Sequence, residues 1–229
     1  MESVTFDLAD TTVRHINSFL HDREKLSHVS LVKILNPNGA HNLACGIDSP
    51  IAVEIHGHAG YYVAGMNQQA RVTVFGNAST GTAENMMSGL VHIKGYTSGN
   101  AGASAHGGTL IIDGSAGLRC GISLKGADII VGGNVGSFSA FMAQAGRILI
   151  CGSAGDALGD SLYEAVIYIK GEIKSLGADA RLEPMQESDY QAVAELLSKA
   201  GWDHDPQAFK RVASAKQLYH WNANASKEY

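Results

Sequence analysis

Four histidines are the first residues that invite a chemical reading. His56 and His58 flank Gly57, with His41 and His92 close by in sequence, so a group of imidazoles could ligate zinc or a similar ion. The spacing argues against it. His56 and His58 stand two apart across a corner, and no carboxylate is fixed beside them at ligand spacing. Cys45, Cys120 and Cys151 are odd in number and none belongs to a C-x-x-C pair, so neither a disulfide framework nor a zinc or iron–sulfur site is encoded. These thiols read as buried or idle. Asp113, Asp128, Asp156 and Asp160 could do acid, base or metal work if the fold brought them together. Glycine steps such as Gly114-x-x-Gly117-x-x-x-Gly121 look like loops that cradle phosphate, but such a loop must open onto a helix N-terminus. No serine sits in a G-x-S-x-G elbow.

Whether any of these groups meet depends on the elements that carry them, and those elements repeat. Gly57, Gly76, Gly95, Gly114, Gly133, Gly152 and Gly171 recur at every nineteenth position without an insertion. A short β-type run precedes each glycine: VEIH, VTVF, VHIK, LIID, IIVG, ILIC and IYIK. Within the runs, the columns from Val53 to Ile167 and from Ile55 to Ile169 are aliphatic in every repeat, which is period-2 burial of one strand face. A third column, seven positions past each marker, reads Ala64, Ala83, Gly102, Gly121, Ala140, Gly159 and Ala178, as expected where the chain bends too sharply for more than a Cβ. Strands and corners stacked once per period make a parallel β-helix of about seven coils. A right-handed coil is expected, because a period of nineteen does not divide into hexapeptide steps and parallel crossovers are right-handed.

In this frame the four aspartates fall in different columns and do not converge on an acidic cleft. An autonomous glycan-active β-helix enzyme, which would need that cleft, is therefore the alternative reading. The phosphate reading fails as well, since each glycine segment runs on into another coil. No catalytic, cofactor or metal residue is assigned; the ten glycines at 57, 76, 95, 102, 114, 121, 133, 152, 159 and 171 are assigned a structural role.

The ends differ from the middle. Residues 1–30 are expected to form a helical extension, with a helix over 10–22 whose apolar face is Val13, Ile16, Phe19 and Leu20. The solenoid is expected over 31–183, opening with a strand at 29–35. Residues 184–229 are expected to hold an amphipathic helix stopped by Gly201, a second short helix over DPQAFKRVASA, and an extended tail. One outward column is informative: Glu54, Thr73 and His92 give way to Ile111, Ile130, Leu149 and Tyr168. Something covers that half, either the terminal helices or a partner chain, and we expect an interface over part of these four residues or over Tyr219, Trp221 and Tyr229 of the tail.

The totals exclude several classes. The 229 residues, 45% apolar, suffice for a sizeable core, and a formal charge of −5 with mixed signs gives no basic stripe for nucleic acid or an anionic membrane. There is no membrane-length apolar run and no signal-peptide pattern, so a cytoplasmic location is expected. The chain has 27 glycines against 4 prolines, which suits regular corners rather than a flexible linker.

The β-run–G-x-x-G-x-x-x-G coil, over roughly residues 30 to 183, resembles the G-x-G-x-G domain that closes the large subunit of glutamate synthases and also occurs in formylmethanofuran dehydrogenases. TTVRHINSFLH resembles the start, and FKRVASAKQLYHW the end, of stand-alone versions, as in N-methylglutamate synthase. The resemblance implies a rigid spacer in a hetero-oligomer, between a class-II amidotransferase-like subunit and an FMN/iron–sulfur synthase subunit that carries the cofactors. Glu2 rather than Cys follows Met1, so no N-terminal cysteine nucleophile can be generated. Ser79, Ser98, Lys174 and the alanines of the third column depart from the motif without breaking its period.

Overall fold

The computed structural model describes residues 2–217. Strand β1 (Glu2–Asp7) is followed by helices α1 (Val13–Leu20) and α2 (Arg23–Leu26), then by eight strands that stack in chain order: β2 (Val29–Leu35), β3 (Ala52–His56), β4 (Arg71–Val74), β5 (Leu90–Ile93), β6 (Thr109–Ile112), β7 (Lys125–Val131), β8 (Ala145–Ile150) and β9 (Val166–Ile169). All pairings from β1 to β9 are parallel, and from β3 onward the aliphatic columns pair in register from coil to coil, as in Val53↔Val72 and Ile148↔Ile167. The chain is thus a parallel β-helix of about seven coils. Its two aliphatic columns are fully enclosed, from Val53 at 1% exposure to Ile169 at 0%. A further inward ladder, Ala59↔Ala78↔Thr97↔Ala116↔Val135↔Ala154↔Ile173, runs two positions past the markers.

The glycine columns have two different causes. At the markers the backbones touch: the N–H of Gly152 donates to the carbonyl of Gly133 at 3.0 Å, and a Cβ on Gly152 would lie 2.5 Å from that same oxygen. At the third column the cause is conformation. Ala64, Ala83, Gly102, Gly121, Ala140 and Gly159 all have φ between +53° and +69°. They are the middle members of a triplet in which every second residue is left-handed, such as Tyr62, Ala64 and Met66, or Phe138, Ala140 and Met142. The alternation turns successive N–H groups to opposite neighbours. Tyr62 donates to Thr80 and Met66 to Glu84 in the following coil, whereas Ala64 donates to Leu43 in the preceding one. Left-handed geometry costs a non-glycine residue roughly 1–2 kcal/mol, which satisfying a donor that would otherwise be buried unpaired offsets.

Two expectations about this column are corrected. Ala178 does not belong to it. The bridge Leu158↔Leu176 spans one residue fewer than Ala154↔Ile173, so a residue is lost inside the last coil and Gly177, whose N–H donates to Leu158, falls at the equivalent position without the left-handed φ. At the other end Ala44 (φ +56°), one coil before Ala64, is an additional first member.

The ends also carry strands beside the helices expected over 1–30 and 184–229. Strand β1 extends the parallel sheet by pairing with β2. Helix α1 forms with Thr12 as N-cap, its Oγ1 accepting from the His15 N–H, and buries Ile16 and Leu20 over the first coil. Helix α3 (Glu187–Ala200) ends at Gly201 with φ +72°. The expected second helix is a single 3-10 turn at Pro206–Ala208, capped by Asp205, followed by strand β11 (Lys210–Ser214). That strand lies antiparallel between β9 and β10 (Ala180–Glu183), covers the last coil with Val212 and ends the parallel stack. No helix among the described residues is long and apolar enough to cross a membrane.

Candidate functional site

The histidines are engaged by the backbone. His58 Nδ1 accepts the N–H of Asn77 at 2.9 Å, and Asn77 Oδ1 accepts that of Tyr96 at 3.1 Å. Ser115, Asn134 and Ser153 continue the same column, each side chain accepting from the N–H one coil later. His41 Nδ1 accepts from Tyr61 N–H at 2.9 Å, and its ring stacks on Tyr61 with centroids 4.5 Å apart. Both imidazoles therefore act as neutral acceptors with the proton on Nε2. His56 pairs with Glu54 at 3.0 Å and stacks on Phe75, and His92 pairs with Asp113 at 2.6 Å. No three His, Cys, Asp or Glu residues among those described are grouped to hold a metal ion.

The thiols do not converge either. Cys45 donates to the Tyr62 carbonyl at the left-handed corner, Cys120 is in the core, and Cys151 packs at the edge of α3. Burial raises all three, Cys120 to about 12 and Cys151 to about 11, which disfavours the thiolate at each. Asp156 is paired with Lys174 at 2.7 Å, and Asp160 accepts from the Ser161 hydroxyl.

The apolar outer column is covered by the chain itself. Ile111, Ile130, Leu149 and Tyr168 are 0–4% exposed beneath Val193, Leu196 and Leu197 of α3 and Phe209. Of the two covers expected for these four residues, the chain's own terminal elements lie over them, and they face an internal seam. Each fully buried side chain there contributes roughly 1.5–3 kcal/mol, and polar clamps fix the helix in register. Arg147 holds Asp128 through two nitrogens at 2.8 and 2.7 Å and also reaches Glu195, while Lys199 donates to Asp128 at 2.8 Å. The Tyr168 hydroxyl donates to Asp189 at 2.8 Å, and Asp189 also closes the α3 capping box by accepting the Gln186 N–H. Burial, followed by the Asp189 carboxylate, pushes the Tyr168 hydroxyl well above its ordinary value and keeps it a donor. Arg211 bridges Glu183 and Asp189 from β11. Tyr219, Trp221 and Tyr229 lie outside the described residues.

Large apolar side chains also face outward at the left-handed corner. Tyr62, Met66, Leu118, Phe138 and Met142 expose 37–60% of their surface there. A groove of about 610 Å³ runs along it, lined by Thr80, Gly99, Asn100, Leu118, Arg119 and Phe138. Sequence reasoning passed over this surface. The available signal was a few large apolar residues in columns five and nine past the markers, where other coils carry Gly, Asn, Ser, Ala or Arg.

No family model matches the sequence. The chain is 54% identical over 224 residues to Protein GlxC of Rhizobium meliloti (strain 1021), an alignment that spans 97% of this chain and 98% of that protein.

Proposed function

The chain belongs to the family of Protein GlxC, and from that premise we propose that it is a non-catalytic structural subunit of a glutamate-synthase-type enzyme. The enzyme we propose is N-methylglutamate synthase, which forms N-methylglutamate and ammonia from methylamine and glutamate. In it this chain holds a class-II amidotransferase-like subunit and an FMN/iron–sulfur synthase subunit together; an ordinary glutamate synthase or a formylmethanofuran-dehydrogenase-like complex would use it in the same way. The observation that carries the proposal is how the groups suited to chemistry are used. His41 and His58 accept backbone N–H groups, Asp128 and Asp189 clamp α3, and Cys120 is buried in the core, so each supports the rod rather than facing a substrate. A rod of stacked coils, each touching its neighbours, holds a fixed spacing between whatever docks along it.

Co-expression with an amidotransferase-like and a flavin/iron–sulfur synthase chain tests this. A ternary complex should form whose methylamine-dependent synthesis of N-methylglutamate requires this chain, while the chain purified alone absorbs no visible light. Stoichiometric flavin or iron–sulfur absorbance in the isolated chain, or full turnover without it, overturns the proposal.

A further inference from the structure

We propose that two copies of this chain form a two-fold dimer through the left-handed corner, with Tyr62 and Met66 of one copy packed on Met142 and Phe138 of the other. Tyr62, Met66, Phe138 and Met142 hold φ of +60°, +57°, +58° and +51°, a region that bulky residues avoid, and 37–54% of their surface faces water. At the equivalent places other coils carry Gly81, Asn85, Asn100, Ser104, Arg119, Ser123, Ala157 or Ser161, which tolerate this geometry better or present no large apolar group to water. Large apolar groups placed where they are both strained and wet have a physical rationale when a partner covers them.

Their order along the rod identifies the partner. Tyr62 and Met66 occupy the coil that follows Gly57, and Phe138 and Met142 the coil that follows Gly133, four coils or roughly 19 Å further on. Midway lies the coil of Asn100, Gly102 and Ser104. A two-fold axis along the outward normal at Gly102 reverses both the order of the coils and the direction of the chain around the corner. Tyr62 then meets Met142 of the second copy and Met66 meets Phe138, so both outer contacts place a thioether on an aromatic ring. At the centre Asn100 meets Ser104, an amide against a hydroxyl. Between centre and ends, Arg119 of one copy falls opposite Asn85 of the other, with Glu84 the neighbouring residue, so a carboxylate lies beside a guanidinium; neither forms an ion pair within the described chain. The pattern is self-complementary, as an isologous interface requires. The paired groups match a second copy without invoking any other polypeptide.

An interface one corner wide and about five coils long belongs to the small, dissociable class. Sedimentation velocity on the full-length chain from about 1 μM to about 1 mM should show a reversible monomer–dimer equilibrium. Glu84→Arg and Arg119→Glu should each weaken it at least about 10-fold, and the double variant should return to within about threefold of the parent, because the two-fold axis restores both pairs at once. Tyr62→Ser, which changes no charge, should weaken it to a similar extent. Unaltered thermal melts of the variants would separate dissociation from misfolding. A parent chain that stays monomeric to about 1 mM overturns the proposal, including one that buries this corner on a different polypeptide. So does a double variant no better than the single ones.

Discussion

A methyl group tells the two kinds of glycine apart. At Gly121 an added Cβ would meet Ile148 Cδ1 at 2.6 Å, the free end of a flexible side chain, and Ala64, Ala83 and Ala140 already carry a Cβ at equivalent corners. At Gly152 it would meet the carbonyl oxygen and carbon of Gly133 at 2.5 and 2.6 Å, backbone that is itself hydrogen-bonded into the stack. Gly121→Ala should therefore cost about 1 kcal/mol, and Gly152→Ala, which must push two coils apart, about 2–3 kcal/mol. In thermal melts roughly 2–4 °C accompanies each kcal/mol, so the marker variant should fall clearly below the corner variant. Equal losses would show that the stacked glycines are not in forced contact. The sequence distinguished these columns by composition: the markers are invariant because backbone cannot yield, while the corner admits alanine because φ can be strained without a collision. The Ala178 slip was invisible in composition, since a one-residue deletion inside a coil leaves another small residue, Gly177, beside the expected place.

Helix α3 shows where pattern alone stops. Its amphipathic face and the terminating Gly201 made the helix legible, and the change of the outer column to Ile111, Ile130, Leu149 and Tyr168 required a cover; nothing in the sequence said that one matched the other. The second expected helix failed for a related reason. Asp205 and Pro206 do open a helical turn, but Val212 is needed over the last coil and β9 would otherwise keep an open edge, so pairing between strands prevails over the local helix start. The clamp on α3 gives the structure a pH dependence. Hydrogen bonds from Arg147, then from Lys199, lower the Glu195 carboxyl to about 2. A carboxylate with a depressed folded value stabilises the fold fully above its unfolded value of 4.5 and loses that contribution as the pH falls toward about 2. Glu195 is half exposed, with 51% of its side chain accessible, so solvent screening reduces the contribution to about 0.5–1 kcal/mol. Glu195→Gln should lower the melting temperature by about 1–4 °C at pH 7, and the difference should vanish near pH 2. A difference that persists there would assign the loss to packing rather than charge.

At the scale of the whole molecule, stability is a sum over coils and the contacts between them, so the terminal elements decide whether the stack stays soluble. At the first end, β1 and helix α1 shield the opening coil with Ile16 and Leu20. At the other, β11 converts the growing parallel edge into an antiparallel stop, and α3 lies along the rod over four coils. The described chain reaches Gln217, whose N–H is held by Asp179 at 2.8 Å. Two truncations separate capping from assembly. Removing residues 185–229 uncovers the seam from Ile111 to Tyr168 and frees β9 to pair with other chains, so the product should aggregate on expression. Removing 218–229 leaves α3, β11 and every clamp described here in place, so the chain should stay folded with a melting temperature within about 2 °C of the parent. The removed segment carries Tyr219, Trp221 and Tyr229. If it contributes aromatic anchors to a partner subunit, its loss should weaken co-purification with the amidotransferase-like and synthase chains about 30-fold, the effect of one hot-spot residue worth about 2 kcal/mol. Loss of folding in the shorter truncation would instead make the tail part of the cap, and unchanged assembly would place the partner contacts on the rod itself.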